Sequence, residues 1–195
     1  QTWRTIYHHY LPVGPEKGAR PTRAELGSAG LVWVAVALAD KLDTIVGMFS
    51  AGERPTGSRD PFGLRRQAHG LFKILIDLPD LAGVTVRPSI SELTVAAHEL
   101  FTAAGHSKDL PEEMHDFLIE RLQHVLQQRG YDIRNVRAVT KSLRSNVKPL
   151  DALRKLEVLP EFTESTEFQQ LAIAFKRVRN IACELPDAEF ELAER

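Results

Sequence analysis

The sequence predicts an all-α fold, in which a helical domain is followed by a helical lobe. Apolar residues such as Val136 and Val139 recur three or four positions apart, which is the spacing of one face of an α-helix. Helix-start signals precede several of these runs, among them Ser89 with Glu92 three residues later. Strand signals are nearly absent, and the segment 84–86 (VTV) is the single short candidate.

The N-terminal quarter of the chain predicts one dominant helix. Residues 1–10 form a short aromatic segment that ends before Pro12, because the residue ahead of a proline disfavours helix. Residues 13–23 are rich in Gly, Pro and charge, which is typical of a loop. From Glu25 to Ser50 the sequence is apolar on nearly every helical face, so we expect a helix buried at the centre of a domain.

The remaining helices follow from start and stop signals. Asp60 and Pro61 predict a helix start, with Asp60 as N-cap and Pro61 at the first helical position. That helix is expected to end near residue 78. Capping signals and glycines delimit two more, and apolar spacing predicts the rest: 89–105, 109–130, one around Val136, Val139 and Leu143, one around Leu150, Leu153 and Leu156, and one over 164–184.

The composition is that of a soluble protein. The chain has 195 residues, of which 43% are hydrophobic and 26% charged, with a formal net charge of −1. The longest apolar run, residues 29–39, is shorter than the roughly 20 residues that span a bilayer. Arg4 and His8 stand where a signal peptide would be apolar, and a single cysteine, Cys183, cannot form an internal disulfide. We therefore expect a cytoplasmic protein.

One motif is highly specific. Residues 39–43 (ADKLD) are followed by residues 54–62 (RPTGSRDPF) and 64–66 (LRR). Weaker matches lie on either side, at residues 9–12 (HYLP) and 175–181 (FKRVRNI). This order of elements resembles the beta subunit of the bacterial heterotetrameric glycyl-tRNA synthetase.

The resemblance implies an organisation and a set of partners. Residues 1–80 would be the later part of an HD-like helical domain, 81–163 a helical linker region, and 164–195 the lead-in to an anticodon-binding domain. The chain would then be part of a longer subunit. Its partners would be tRNA(Gly), the rest of the beta subunit and the alpha subunit in an alpha2-beta2 enzyme, where ATP and Mg²⁺ activate glycine. The chain alone is expected to be catalytically inactive and to hold no cofactor.

An HD-like fold raises the question of a metal site. Such sites use several His and Asp ligands, including an adjacent His-Asp pair, and Asp40 stands where that superfamily places its last acidic ligand. Only His8 and His9 lie upstream, and neither is followed by Asp. We expect no metal. Asp40 and Asp43 are interpreted as structural, capping the buried helix or pairing with Lys41 or a nearby Arg.

Other catalytic chemistry finds little support in the sequence. The one His-Asp dipeptide, His115-Asp116, is placed on a solvated helix face, since Asp116 shares that face with Glu120, Gln123 and Gln127. His69 and His124 are interpreted as isolated helical histidines. Cys183 has apolar neighbours and is expected to be an inert buried thiol. No phosphate-binding loop of the GxxxxGK[ST] type occurs.

Basic residues are segregated along the chain. Five lie between positions 54 and 73 against the single acid Asp60, and seven lie between 134 and 155 against Asp151. Arginine and lysine grouped in this way suit an RNA phosphate backbone, although a solvated helix face with scattered ion pairs is the alternative. With the resemblance, we assign tRNA contacts to Arg54, Arg59, Arg65, Arg66, Lys73, Lys176, Arg177 and Arg179.

Arg65 and Arg66 are expected to have different roles. Adjacent helical residues point about 100° apart, so one would contact RNA. The other would hold the 53–60 loop or pair with Asp40 or Asp43. The predicted function is to bind and orient tRNA(Gly) for aminoacylation on the alpha subunit. Two alternatives remain, an HD-type metal-dependent phosphohydrolase and a non-enzymatic helical protein-interaction module.

Overall fold

The structure, a computed structural model, describes residues 2–12, 20–105, 109–141 and 146–182. No strand occurs in these ranges, and segment 84–86 has no regular structure. The predicted all-α class is therefore confirmed, whereas the HD-like assignment stays a prediction. The helices are α1 (Thr2–His8), α2 (Arg23–Leu26), α3 (Gly30–Ser50), α4 (Leu64–Ile76), α5 (Leu78–Ala82), α6 (Ile90–Ala103), α7 (Glu112–Gln128), α8 (Ile133–Lys141), α9 (Pro149–Glu164) and α10 (Thr166–Ala182).

The chain divides into two compact units, Gln1–Leu156 and Glu157–Arg195. The first contains α1 to α8 and the first half of α9, and the second contains the rest of α9 and α10. The functional segments 1–80, 81–163 and 164–195 stay a prediction. None of the helices in the described ranges combines the length and the apolarity that a bilayer span requires.

Helix α3 organises the first unit. It contacts α1, α2, α4, α5 and α6. Trp33 of α3 is fully buried, and its indole nitrogen donates a hydrogen bond to the carbonyl oxygen of His8 at 2.7 Å. This bond satisfies a buried donor and fixes α1 to the core. Around Trp33 lies a buried apolar cluster, which comprises Leu26, Trp33, Val34, Ala37, Ile74, Leu78 and Leu81. Burial of each large side chain in this cluster contributes about 1.5–3 kcal/mol to the stability of the fold.

The helix expected over residues 25–50 is divided. A short 3-10 turn, Gly27–Ala29, separates α2 from α3. Gly27 has φ 55° and ψ −132°, a positive-φ conformation that glycine adopts readily and that ends α2. The predicted burial was also wrong on one side, since Leu31, Val32 and Val36 of α3 are 55%, 48% and 40% exposed.

Helix α4 starts at Leu64, three residues later than expected. Its N-cap position is Gly63, with φ 66°. The Gly63 amide bonds the Asp60 carbonyl at 3.1 Å, so Asp60 to Gly63 form a turn ahead of the helix. Pro61 lies in this turn and not in the first helical turn.

Of the helix-start signals at Ser89 and Asp109, the structure confirms the first and not the second. Ser89 and Glu92 form the predicted capping box at the start of α6, each side chain bonded to the backbone amide of the other. The parallel signal at Asp109 was wrong, because the N-cap position of α7 is Pro111, which has no capping side chain. Helix α10 covers most of the expected range 164–184, whereas Leu143 lies outside the described residues.

Asp77 joins three separate parts of the first unit. It lies between α4 and α5 and is only 8% exposed. Its carboxylate accepts a hydrogen bond from Arg129, at the end of α7, at 2.8 Å. Arg20 forms a second ion pair with it at 3.3 Å. A nearly buried carboxylate is thus neutralised by two arginines.

Candidate nucleic-acid interface

The segment between α3 and α4 is a braced turn. Thr56 and Arg59 exchange backbone hydrogen bonds of 3.0 and 2.8 Å. The Asp60 carboxylate then accepts hydrogen bonds from the backbone amides of Leu64, at 2.8 Å, and Arg65, at 3.0 Å. These amides begin α4 and lack helical partners, so a carboxylate there satisfies them and interacts favourably with the helix dipole.

Arg65 and Arg66 lie on different sides of this turn. The Arg65 guanidinium donates to the carbonyl oxygen of Gly57 at 2.8 Å, so Arg65 holds the loop. Arg66 is exposed, and its guanidinium lies over Gly63, where an added Cβ would be 2.8 Å from a terminal nitrogen. Arg66 is therefore the member of the pair that presents its charge to solvent.

The other basic residues between positions 54 and 73 differ in exposure and in ion pairing. Arg54 forms an ion pair with Glu113 of α7 at 3.0 Å, and both side chains are exposed. Such a solvent-screened pair contributes little to stability. Arg59 is exposed, and no ion pair joins Arg59 or Arg66 to another described residue. Lys73 lies in the last turn of α4 and is half-buried.

Lys41 of the ADKLD motif is almost fully buried, at 1% exposure. Its ammonium donates to the carbonyl oxygen of Tyr10 at 3.3 Å, which links α3 to the segment after α1. Burial lowers the pKa of Lys41 below its usual value, while the charge of Asp40 acts in the opposite direction. The sequence motif therefore contains an internal structural tie.

Asp40 and Asp43 line a groove of about 590 Å³ between α3 and α6, together with His9 and mainly apolar side chains. Asp40 is half-buried and Asp43 exposed, and neither forms an ion pair with a described residue. Among the described residues, no group of three or more His, Cys, Asp or Glu side chains is placed to hold a metal ion. The structural roles assigned to Asp40 and Asp43 stay a prediction.

His69 and His124 are not isolated. Their rings meet edge to face across α4 and α7, with centroids 6.2 Å apart. Burial above all, together with the charges of Lys73, His124, Arg121 and Arg129, lowers the pKa of His69 to about 4. This pair was not predictable from the sequence, because contact between residues on two separate helices leaves no local pattern.

Two further expectations concern helix faces. Asp116 and Glu120 are exposed on α7 as predicted. Gln123 is not on a purely solvated face, since its side-chain amide donates to the Thr140 hydroxyl of α8 at 2.8 Å. Cys183 lies outside the described residues.

The remaining residues assigned to tRNA contact lie on α10 in the second unit. Lys176, Arg177 and Arg179 are all exposed. The same helix exposes Phe175 and Val178, at 68% and 63%. Within the described residues α10 thus presents both a charged and an apolar surface.

Comparison with known protein families decides the affiliation. The sequence profile of the family described as "Glycyl-tRNA synthetase beta subunit" matches residues 2–141, which include the ADKLD motif, the braced turn and all of α3 to α8. The chain belongs to this family.

Individual family members support the assignment. The glycine–tRNA ligase beta subunit of Aromatoleum aromaticum is 41% identical over 169 residues, covering 85% of this chain and 22% of the relative. That of Pseudomonas aeruginosa is 38% identical over 189 residues, covering 93% and 24%. That of Syntrophotalea carbinolica is 34% identical over 184 residues, covering 91% and 24%. The chain thus spans roughly a quarter of the length of these curated relatives.

Proposed function

We propose that this chain binds tRNA(Gly) and orients it for aminoacylation on the alpha subunit of glycine–tRNA ligase. The observation that carries the proposal is the braced turn, whose fixed backbone presents the exposed charges of Arg59 and Arg66. Arginine forks on a rigid backbone suit phosphate groups, because little side-chain and loop freedom is lost on binding. Family membership supports the choice of tRNA(Gly) as the RNA.

The contribution of the chain to catalysis would be positional. Holding two reactants in the productive geometry replaces an encounter by an intramolecular step. ATP and Mg²⁺ would act at the alpha subunit, within a cytoplasmic alpha2-beta2 enzyme. Purified by itself, the chain is expected to support neither glycine-dependent pyrophosphate exchange nor tRNA charging, and either activity would contradict this division of labour.

Two basic surfaces would contribute to RNA binding. The first is the braced turn with Arg54, Arg59 and Arg66, supported by Arg65 and extended along α4 by Lys73. The second is the exposed group Lys176, Arg177 and Arg179 on α10. Each phosphate contact displaces condensed counterions, so binding to these surfaces should weaken steeply with salt.

The test is a salt-titrated binding assay with tRNA(Gly) and with an unrelated tRNA. The complete ligase that carries this chain is compared with the Arg59→Ala and Arg66→Ala variants. Losing one charged hydrogen bond should weaken binding about tenfold. The matched control is Arg87→Ala, which removes the same charge from an exposed arginine that already pairs with Asp151 at 3.1 Å.

Three outcomes would reject the proposal. The first is affinity unchanged in both turn variants. The second is binding insensitive to salt, which favours a protein-interaction module. The third is metal-dependent turnover of a generic phosphoester, which favours an HD-type phosphohydrolase.

A further inference from the structure

A small pocket adjoins the exposed guanidinium of Arg66. It has a volume of about 60 Å³ and is lined by Tyr10, Pro12, Phe62, Gly63, Arg66 and Gln67. These residues come from two distant parts of the sequence, the segment after α1 and the turn ahead of α4 together with the start of α4. The pocket therefore exists only because the ADKLD helix and the braced turn bring the segments together.

Two aromatic rings at this pocket remain largely accessible. Tyr10 is 55% exposed and Phe62 46% exposed. Their backbones are nevertheless fixed: Lys41 bonds the carbonyl oxygen of Tyr10, and Phe62 lies within the turn closed by the Gly63-to-Asp60 bond. Accessible aromatic faces on a fixed backbone form a ready stacking surface.

The polar groups at the pocket match the remaining parts of a nucleotide. Arg66 offers charged donors for a phosphate, and its position over Gly63 depends on the absence of a Cβ there. The half-buried Gln67 carries an amide that can both donate to and accept from a base edge. A cavity of about 60 Å³ admits an edge or a single group, so a whole base would lie across the rim on the exposed rings.

We propose that this pocket binds one unpaired nucleotide of the RNA. Its base stacks on Tyr10 or Phe62, its phosphate contacts Arg66, and its edge meets Gln67. A base inside a duplex has both faces covered by neighbouring base pairs, so only an unpaired base can use such rings. This inference rests on the proposed function, and it specifies which structural part of the RNA the turn recognises.

The experiment uses the complete ligase that carries this chain and two RNA probes of equal charge, an unstructured single strand and a blunt-ended duplex. Tyr10→Leu and Phe62→Leu keep an apolar side chain and leave the backbone bonds in place. Each should weaken single-strand binding about tenfold while duplex affinity stays within twofold. The control is Tyr7→Leu, which removes another exposed aromatic ring that does not line the pocket.

Several results would overturn the inference. Equal weakening on both probes would assign the rings to folding, which melting curves would also reveal. Unchanged RNA binding with lost alpha-subunit assembly would make the rings a protein contact. Normal single-strand binding by both ring variants, together with weakened binding by Arg66→Ala, would reject the pocket and leave the proposed function intact. If no probe and no tRNA binds to the wild type, the proposed function itself fails.

Discussion

The side chain of Lys41 reaches the carbonyl oxygen of Tyr10 by passing over Gly70 of α4. A Cβ added at Gly70 would lie 2.7 Å from the Cε of Lys41 and 2.7 Å from the carbonyl oxygen of Pro12. Two sequence motifs, ADKLD and HYLP, therefore meet at a glycine that belongs to neither. The same contact fixes Tyr10 at the edge of the proposed nucleotide pocket.

Replacing Gly70 by alanine should destabilise the protein. Changing a helical glycine to alanine usually raises the free energy of unfolding by up to about 1 kcal/mol. Here the new methyl group would meet a backbone oxygen, which cannot move without shifting the Tyr10–Pro12 segment. We expect a net loss of about 1–3 kcal/mol, as for overpacked cores. Urea denaturation measures it, and a gain in stability would show that the two segments separate easily.

The Asp60 cap gives a second stability prediction. Asp60→Ala removes the acceptor for the amides of Leu64 and Arg65 and should cost about 1–2 kcal/mol. Asp109→Ala is the matched control, since Asp109 is an exposed aspartate ahead of α7 that does not occupy its N-cap position. It should leave the melting temperature unchanged. Equal losses in the two variants would mean that the Asp60 bonds contribute nothing specific.

The sequence predicts local contacts such as helix caps better than contacts between distant residues. The Ser89–Glu92 capping box was predictable, because all of its bonds lie within four residues. For Asp60 the capping chemistry was foreseen, but the helix start was wrong because Gly63 adopts a left-handed conformation that extends the turn. The Lys41–Tyr10 bond and the His69–His124 contact join residues far apart in sequence. Only the packing of α3, α4 and α7 creates them.

His69 predicts a loss of stability in mild acid. Its pKa is about 4 in the folded protein and about 6.5 when exposed, so the unfolded chain binds more protons between these pH values. The free energy of unfolding therefore has its full value above pH 6.5. It falls by up to about 3 kcal/mol as the pH drops to 4.

Chemical denaturation at several pH values tests this prediction. The His69→Gln variant should lose most of the dependence between pH 6.5 and 4, whatever its stability at pH 7. His124→Gln should retain most of it, because burial is the first cause of the shift and His124 is exposed. A wild-type stability that stays flat over this range would contradict the assignment.

The division of roles between Arg65 and Arg66 gives the most direct test of how the turn works. Arg65 bonds the Gly57 carbonyl, whereas Arg66 projects to solvent above Gly63. Arg65→Ala should therefore lower stability by about 1 kcal/mol through the lost hydrogen bond. Its effect on tRNA binding should be indirect, through a loosened loop.

Arg66→Ala should behave in the opposite way. The melting temperature should stay within error, because no ion pair ties this guanidinium to the described part of the chain and the side chain is exposed. Binding of tRNA(Gly) should weaken, and the slope of log affinity against log salt should fall in magnitude by about one, as expected for one lost phosphate contact.

A second variant, Arg66→Lys, separates the effect of the charge from that of the guanidinium geometry. It should keep the wild-type salt slope but only part of the affinity, since an ammonium lacks the planar fork. If Arg66→Lys binds no better than Arg66→Ala, the residue acts through its shape at the pocket and not through a phosphate. If Arg65→Ala proves to be the variant with the altered salt slope, the loop bond seen here gives way when RNA binds.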